Sequence, residues 1–156
     1  MKLLDLLRKQ HDYSWDKETW FLPLKDVLEG LSSADAAWQP PGGGNTIWQI
    51  VNHLNYYNNR LIHDIAGRQA NDALPSNLET FGAPGNPEDN EAWQDTLEKA
   101  DQLSTELRKA LAKIDDGALK EEYADGLSRN ILHTIHHTGQ IVLIRKQQGS
   151  WMKERE

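Results

Sequence analysis

Three of the six histidines in this chain crowd into one short run, His133-Thr134-Ile135-His136-His137. Imidazole titrates near neutral pH and is the commonest side-chain metal ligand, so chemistry is to be sought here first. If the run is helical, each residue advances about 100°, and His133 and His137 lie one turn apart on one face. Two imidazoles at that spacing can reach one ion. Metalloprotease helices use the same spacing but carry Glu directly after the first His as general base. Here that position is Thr134, which excludes the peptidase reading. His136 points about 60° off the centre of the stripe and is not expected as a ligand.

A useful site needs a third ligand, and His53 is the best candidate. It sits at the edge of an apolar stripe beside Ile50 and Leu54, with Gln49, Tyr57 and Arg60 one or two turns away on the same side. His63 lies about 80° round from it, toward Asn52 and Asn59 on a polar face. His11 lies on the inward side of the first helix and stays open as an alternative. A lone histidine on an apolar face is more often a hydrogen-bonded core residue than a ligand. The i,i+4 pair is harder to read that way, because two buried neutral imidazoles need partners and a metal is a common one. Spacing alone leaves the two readings level.

The elements that must position these residues are helices. Pro40-Pro41-Gly42-Gly43-Gly44 breaks the chain once, the stretch from Ala73 to Pro87 breaks it again, and Asp115 to Gly126 is a softer third break. Between the breaks lie four segments with helical apolar spacing. The first runs from about Lys2 to Leu31, kinked or split at Pro23. The second runs from about Thr46 to Gln69 and opens on a capping box, Thr46 with Gln49. The third runs from about Pro87 to Ile114, with Trp93, Leu97, Ala100, Leu107, Leu111 and Ile114 on one stripe. The fourth runs from about Leu127 to Gln148 and stops at Gly149. No run alternates as a strand would. Four long helices joined by short-to-medium connections predict an all-α, antiparallel four-helix bundle with side chains meeting at its centre. On the fourth helix, Ile131, Ile135 and Val142 lie opposite the histidines, with Gly139 near them. That second apolar face predicts a homodimer, unless the first helix covers it within one chain.

Composition bounds the rest. A length of 156 residues fits one domain, and 38% hydrophobic with 26% charged residues does not suit a disordered chain. Without cysteine there is no disulfide, no thiolate ligand and no thiol nucleophile, so thiol chemistry would need a thiol from outside. A net charge of −7 without a basic stripe argues against nucleic acid. Arg145, Lys146, Lys153 and Arg155 form only a weak cluster, read as solvated charge at the end of the last helix. No apolar run approaches the ~20 residues that span a bilayer, and the first residues do not suit a secretory signal. The expected location is the cytoplasm, with no membrane partner.

Two segments resemble a known family. Gly30-Leu31-Ser32 through Trp38-Gln39-Pro40, the glycine loop, and Asn45-Thr46-Ile47-Trp48-Gln49-Ile50-Val51-Asn52-His53-Leu54 resemble the turn into the second helix of the DinB-like superfamily, which includes the YfiT-type proteins. His133-Thr134-Ile135-His136-His137-Thr138-Gly139-Gln140-Ile141, followed by Leu143-Ile144-Arg145 and Gly149, resembles its His-x-x-x-His-Arg-Gly-Gln signature. Thr138 stands where the family often has arginine, which puts that arginine's role in doubt and leaves the ligands untouched.

The resemblance covers nearly the whole chain and implies one bundle domain over residues 1–156. It implies a divalent ion held by His53, His133 and His137 through ring nitrogens at ~2.0–2.2 Å. Zinc and nickel come first, with manganese and iron open, because imidazole suits several metals. The family takes its name from damage-inducible genes and shares it with an unrelated DNA polymerase, which nothing here resembles. Some relatives are transferases or isomerases of bacillithiol, mycothiol or glutathione. The expected function is therefore metal-dependent transfer of a low-molecular-weight thiol to a small electrophile. Tyr57 and Arg60 are candidates for placing an anionic thiol cosubstrate, or else for ordinary packing at the core edge. The competing readings are a non-catalytic metal-binding stress-response protein and a metal-dependent hydrolase. No carboxylate is obviously placed as base for the hydrolase.

Overall fold

The computed structural model describes residues 1–115, 117 and 119–152. In chain order the helices are α1 (Leu3–Trp15), α2 (Leu24–Leu28), α3 (Ser33–Ala36), α4 (Ile47–Ile65), a 3₁₀ turn (Leu78–Phe81), α5 (Asn90–Ala112) and α6 (Glu121–Gln148). No strand occurs among the described residues. The four long helices α1, α4, α5 and α6 make the expected bundle.

Helix direction follows from which residues meet. On α4 and α6, Asn58 accepts from Asn130 at 2.9 Å while His53 meets His133, so the two run antiparallel. On α1 and α5, Arg8 reaches the Leu111 carbonyl and Asp12 reaches Arg108, so these are antiparallel too. Helices α4 and α5 run the same way, with Trp48 against Trp93 and Asn55 donating to the Thr96 carbonyl. The long connection 66–89 makes this possible by crossing back along the bundle.

The first predicted segment is split more thoroughly than one kink. Helix α1 ends at Trp15, and residues 16–23 are not helical. Pro23 restarts the helix as the N-cap of α2, where its missing N–H costs nothing. Ser32 then caps α3 in a box with Asp35. Thr46 and Gln49 form the predicted capping box of α4. Gly149 ends α6 in the left-handed region, at φ 79°, which glycine adopts without a Cβ clash.

The third break is shorter than expected, because α6 already begins at Glu121. Glu121 and Glu122 suit the positive end of the helix dipole. Gly126 is absorbed into the helix and lies against Leu61.

Two apolar clusters fill the bundle. One holds Trp15, Val27, Trp48, Trp93, Ile141 and Ile144, and the other Leu7, Leu61, Leu103, Leu107, Leu127 and Ile131. The face offered for a homodimer is covered within the chain only in part, since Ile135 and Val142 are half-buried and Gly139 is exposed. Ile131 is 3% exposed beside Leu7 of α1, and Ile135 and Val142 pack on the two clusters. Arg145 is likewise not a solvated charge. It is buried and donates to the carbonyls of Val27 and Glu29 at 2.6 and 2.9 Å, closing the end of α2. Lys146 is exposed, and Lys153 and Arg155 lie outside the described residues. No helix among the described residues is long and apolar enough to cross a membrane.

Candidate metal centre

Helix α4 carries a polar edge of Thr46, Gln49 and Asn52. Their side chains donate in turn to the carbonyls of Pro84 at 2.8 Å, Gly82 at 3.0 Å and Phe81 at 3.3 Å. These three bonds lay the segment after the 3₁₀ turn antiparallel along the start of α4. Gly85 completes the seat. Its φ is +96°, and a Cβ there would come within 2.4 Å of the Trp48 ring. Packed this way, the turn presents Thr80 and Phe81 to His53.

Thr80 fixes the proton on His53. The Thr80 hydroxyl donates to the Asn77 carbonyl at 2.6 Å, and that oxygen can only accept. The contact of 2.5 Å between Thr80 Oγ1 and His53 Nδ1 must therefore have the imidazole as donor. With its proton on Nδ1, His53 turns a lone pair out from Nε2. Phe81 stacks on the ring at 3.9 Å between centroids and 5° between planes, which sets its tilt. His137 is handled in the same way from α6. Its Nδ1 donates to Gln140 Oε1 at 2.7 Å, one turn on, and its Nε2 is left as an acceptor.

The free nitrogens converge. His133 Nε2 lies 2.9 Å from His53 Nε2 and 3.0 Å from His137 Nε2. His53 and His137 are 3% and 7% exposed, and His133 is half-buried. One proton on His133 Nε2 can satisfy only one of the two lone pairs facing it. A cation at the centre satisfies all three nitrogens. Two nitrogens bound to one ion at ~2.0–2.1 Å lie no more than ~4.2 Å apart, and both measured pairs fall inside that limit. The three ligand atoms all lie within 4.8 Å of one another. Hydrogen-bonded outer partners on the far ring nitrogens are the usual support of a histidine metal site. The donor set fits a divalent ion.

The electrostatics agree. Burial first, then the neighbouring imidazoles His133 and His137, lower the pKa of His53 to about 4. Burial, then His137 and His136, lower His133 to about 4 as well. Burial also lowers His137, against an opposing contribution from the Gln140 hydrogen bond. Near neutral pH all three rings are uncharged, as metal ligation requires.

The structure thus brings His53, His133 and His137 together and separates the other candidates. Tyr57 stands edge-on to His53 and His133 at 5.0 and 5.4 Å, and its hydroxyl donates to Asn77 Oδ1 at 2.8 Å. Arg60 instead lies over the Tyr56 ring at 5.6 Å, with Nη1 3.4 Å from the Tyr56 hydroxyl. His136 is exposed, edge-on to His137 at 5.1 Å. His63 is half-buried with no hydrogen bond at Nδ1, and His11 is buried between α1 and α5. Thr138, at the position of the family arginine, is buried and donates to the Thr134 carbonyl.

Sequence reasoning missed Thr80 and Phe81, which lie in a stretch read only as a break. The one signal for them was a short Leu78-Glu79-Thr80-Phe81 run among prolines and glycines. Gln140 stands in the signature run three residues after His137, but nothing in the sequence marks it as that ring's partner.

A family model described as the DinB superfamily matches residues 24–141, a span that contains the three histidines, Thr80 and Gln140. No curated protein and no solved structure gives a match.

Proposed function

This chain belongs to the DinB superfamily, and we propose that it holds one divalent ion on His53, His133 and His137 to activate a low-molecular-weight thiol toward a small electrophile. The observation that carries the metal reading is the pair of outer hydrogen bonds. Thr80 and Gln140 keep protons off the two Nε2 atoms that face His133.

When bound, the ion supplies a positive centre that lowers the pKa of a thiol brought to it. The chain's own part is to leave that charge intact. All three ligands are neutral, and no carboxylate joins the cluster among the described residues. The same absence disfavours hydrolysis, which would need a base for water. Phe81 and Tyr57 wall the histidines with aromatic surface. That surface suits an apolar electrophile and keeps bulk water from one side. Because the Tyr57 hydroxyl is engaged by Asn77, Tyr57 is a wall and not a proton donor.

In the transfer, a carbon–sulfur bond forms and the bond to the leaving group breaks. The leaving group departs with the electron pair, and the thiol proton goes to solvent. The chain has no cysteine to compete for the electrophile.

The test has two stages. Metal titration followed by native mass spectrometry should give one ion per chain with zinc or nickel. The loaded protein is then incubated with bacillithiol, glutathione or mycothiol and chlorodinitrobenzene. Conjugation above the uncatalysed rate, lost in His53→Ala, supports the transferase. If metal binds and none of the three thiols is conjugated faster than in buffer, the thiol chemistry is wrong, and a metal-binding protein without turnover is the better reading.

A further inference from the structure

Residues 71–79, in the connection between α4 and α5, are exposed throughout. Even Leu74 and Leu78 are 41% and 77% exposed, so no buried apolar side chain anchors this strap. What holds it is a row of hydrogen bonds from one stretch of α4. Asn59 donates to Asp72 Oδ2 at 3.1 Å, the Tyr56 hydroxyl accepts from the Leu74 N–H at 3.1 Å, and the Tyr57 hydroxyl donates to Asn77 Oδ1 at 2.8 Å. Exposed bonds without buried apolar contacts open locally while a core stays folded. The residues that follow are fixed. Thr80 and Phe81 are buried, and the carbonyls of Phe81, Gly82 and Pro84 are tied to the start of α4. The seam between the loose part and the fixed part falls between Asn77 and Thr80.

Asn77 spans that seam. Its carbonyl accepts from the Thr80 hydroxyl at 2.6 Å and from the Thr80 N–H at 3.3 Å, and its side chain accepts from the Tyr57 hydroxyl. The first two bonds belong to one 3₁₀ turn, whose hydrogen-bond geometry is poor. Among the described residues, the Tyr57 bond is what fastens Asn77 to α4.

That bond reaches His53 at second hand. With the Asn77 carbonyl in place, the Thr80 hydroxyl spends its hydrogen there and accepts the Nδ1 proton of His53. When Asn77 swings out, the hydroxyl hydrogen is released and can turn to Nδ1. The neutral ring then carries its proton on Nε2, 2.9 Å from His133 Nε2. No proton is gained or lost. Only the nitrogen that offers a lone pair changes.

We propose that Asn77 is a positioning residue for the metal centre: clasped by Tyr57, it holds His53 in the tautomer that turns a lone pair toward the other two histidines. The consequence for metal rests on the metal reading above, and the clasp itself does not. Closure of the strap and uptake of a divalent ion then favour one another, because both select the same tautomer.

Tyr57→Phe keeps the aromatic wall and removes the clasp from one side, and Asn77→Ala removes it from the other. Each full-length variant is read first without metal, by proton–nitrogen NMR of the histidine rings, which reports the nitrogen that carries the proton. The same spectra report that the bundle is folded. The parent should hold the His53 proton on Nδ1. Both variants should move part of the population to Nε2 and speed exchange of the Leu74 amide. Because the two substitutions break one bond, the double variant should do no more than either alone. Asn77→Asp, which keeps an acceptor for Tyr57, should retain the parent tautomer. Zinc affinity, from competition against a chromophoric chelator, should fall roughly two- to tenfold in Tyr57→Phe and Asn77→Ala, the range of one net hydrogen bond. By linkage, zinc should slow exchange of the Leu74 amide in the parent. A His53 proton that stays on Nδ1 in both variants, or a double variant that exceeds both singles, overturns the proposal. A tautomer shift in the variants of a protein that takes up no zinc supports the clasp and removes the metal reading instead.

Discussion

Replacing Thr80 by valine keeps the shape of the side chain and deletes one oxygen, so it isolates the proton-locking role of that residue. In the native chain the Thr80 hydroxyl spends its hydrogen on the Asn77 carbonyl and accepts from His53 Nδ1. In Thr80→Val the Nδ1 proton of a ring only 3% exposed loses its acceptor. An unsatisfied buried donor costs about 1–3 kcal/mol. The ring can avoid that cost by moving its proton to Nε2 and donating to His133 Nε2, 2.9 Å away. That escape occupies the lone pair a metal needs. Losing an outer partner of a ligating histidine typically weakens metal binding 10–100-fold, about 1.4–2.7 kcal/mol. Competition against a chromophoric chelator measures this directly, with Thr80→Ser as the control that restores the oxygen. Zinc affinity in Thr80→Val equal to the parent, or a serine variant as weak as the valine, would refute the assignment of the His53 proton.

Three further outcomes are expected. His133→Ala combined with His137→Ala should abolish stoichiometric metal uptake by elemental analysis, and unchanged metal content would remove the site. Ile131→Ala should lose about 2–5 kcal/mol of stability. Because Ile131 packs within the chain beside Leu7, that loss should not depend on protein concentration in denaturant titrations. His11 should make metal-free stability fall in acid. Burial, then the Arg108 charge, lowers its pKa from 6.5 to about 4, so the unfolded chain takes up a proton first as pH drops. Its contribution is complete above pH 6.5 and is lost as pH falls toward 4, about 3 kcal/mol in all. His11→Leu should flatten that part of the stability profile, and an unchanged slope would count against the burial of a neutral ring.

Helix periodicity and the i,i+4 histidine pair were enough to read the bundle and the face that carries the site. Those signals are local, and α4 and α6 obey them because their apolar stripes are what the core buries. Between Trp15 and Leu31 the apolar spacing continued while the helix did not. Spacing marks which side chains go inward, and Leu24, Val27 and Leu28 do so whether or not the backbone between elements is helical. Arg145 misled for the opposite reason. A cation in the last turn suits the dipole in any helix, and only the docking of α2 against α6 shows that its donors are spent on Val27 and Glu29. The parallel course of α4 and α5 was hidden in a connection that reads as turn chemistry alone.

The least legible part of the site is what sets the protons on its rings. Histidines at metal-binding spacing mark a place where nitrogens can meet, but an imidazole can present either a proton or a lone pair there. That choice is made on the far side of each ring. For His137 it is made by Gln140 on the same helix. For His53 it is made by Thr80, which the polar edge of α4 secures through carbonyls 29–38 residues further along the chain. The crossing segment that reverses the bundle's topology is therefore also the element that sets a proton. A chain with the same three histidines and a different connection would keep the ligands and lose control of their tautomers. The match to the family, which begins at residue 24 and runs to 141, spans that connection together with both histidine helices. The unit that builds the histidine cluster is thus α4, the crossing segment and α6 together, and α1 contributes the cover that makes their shared face a core.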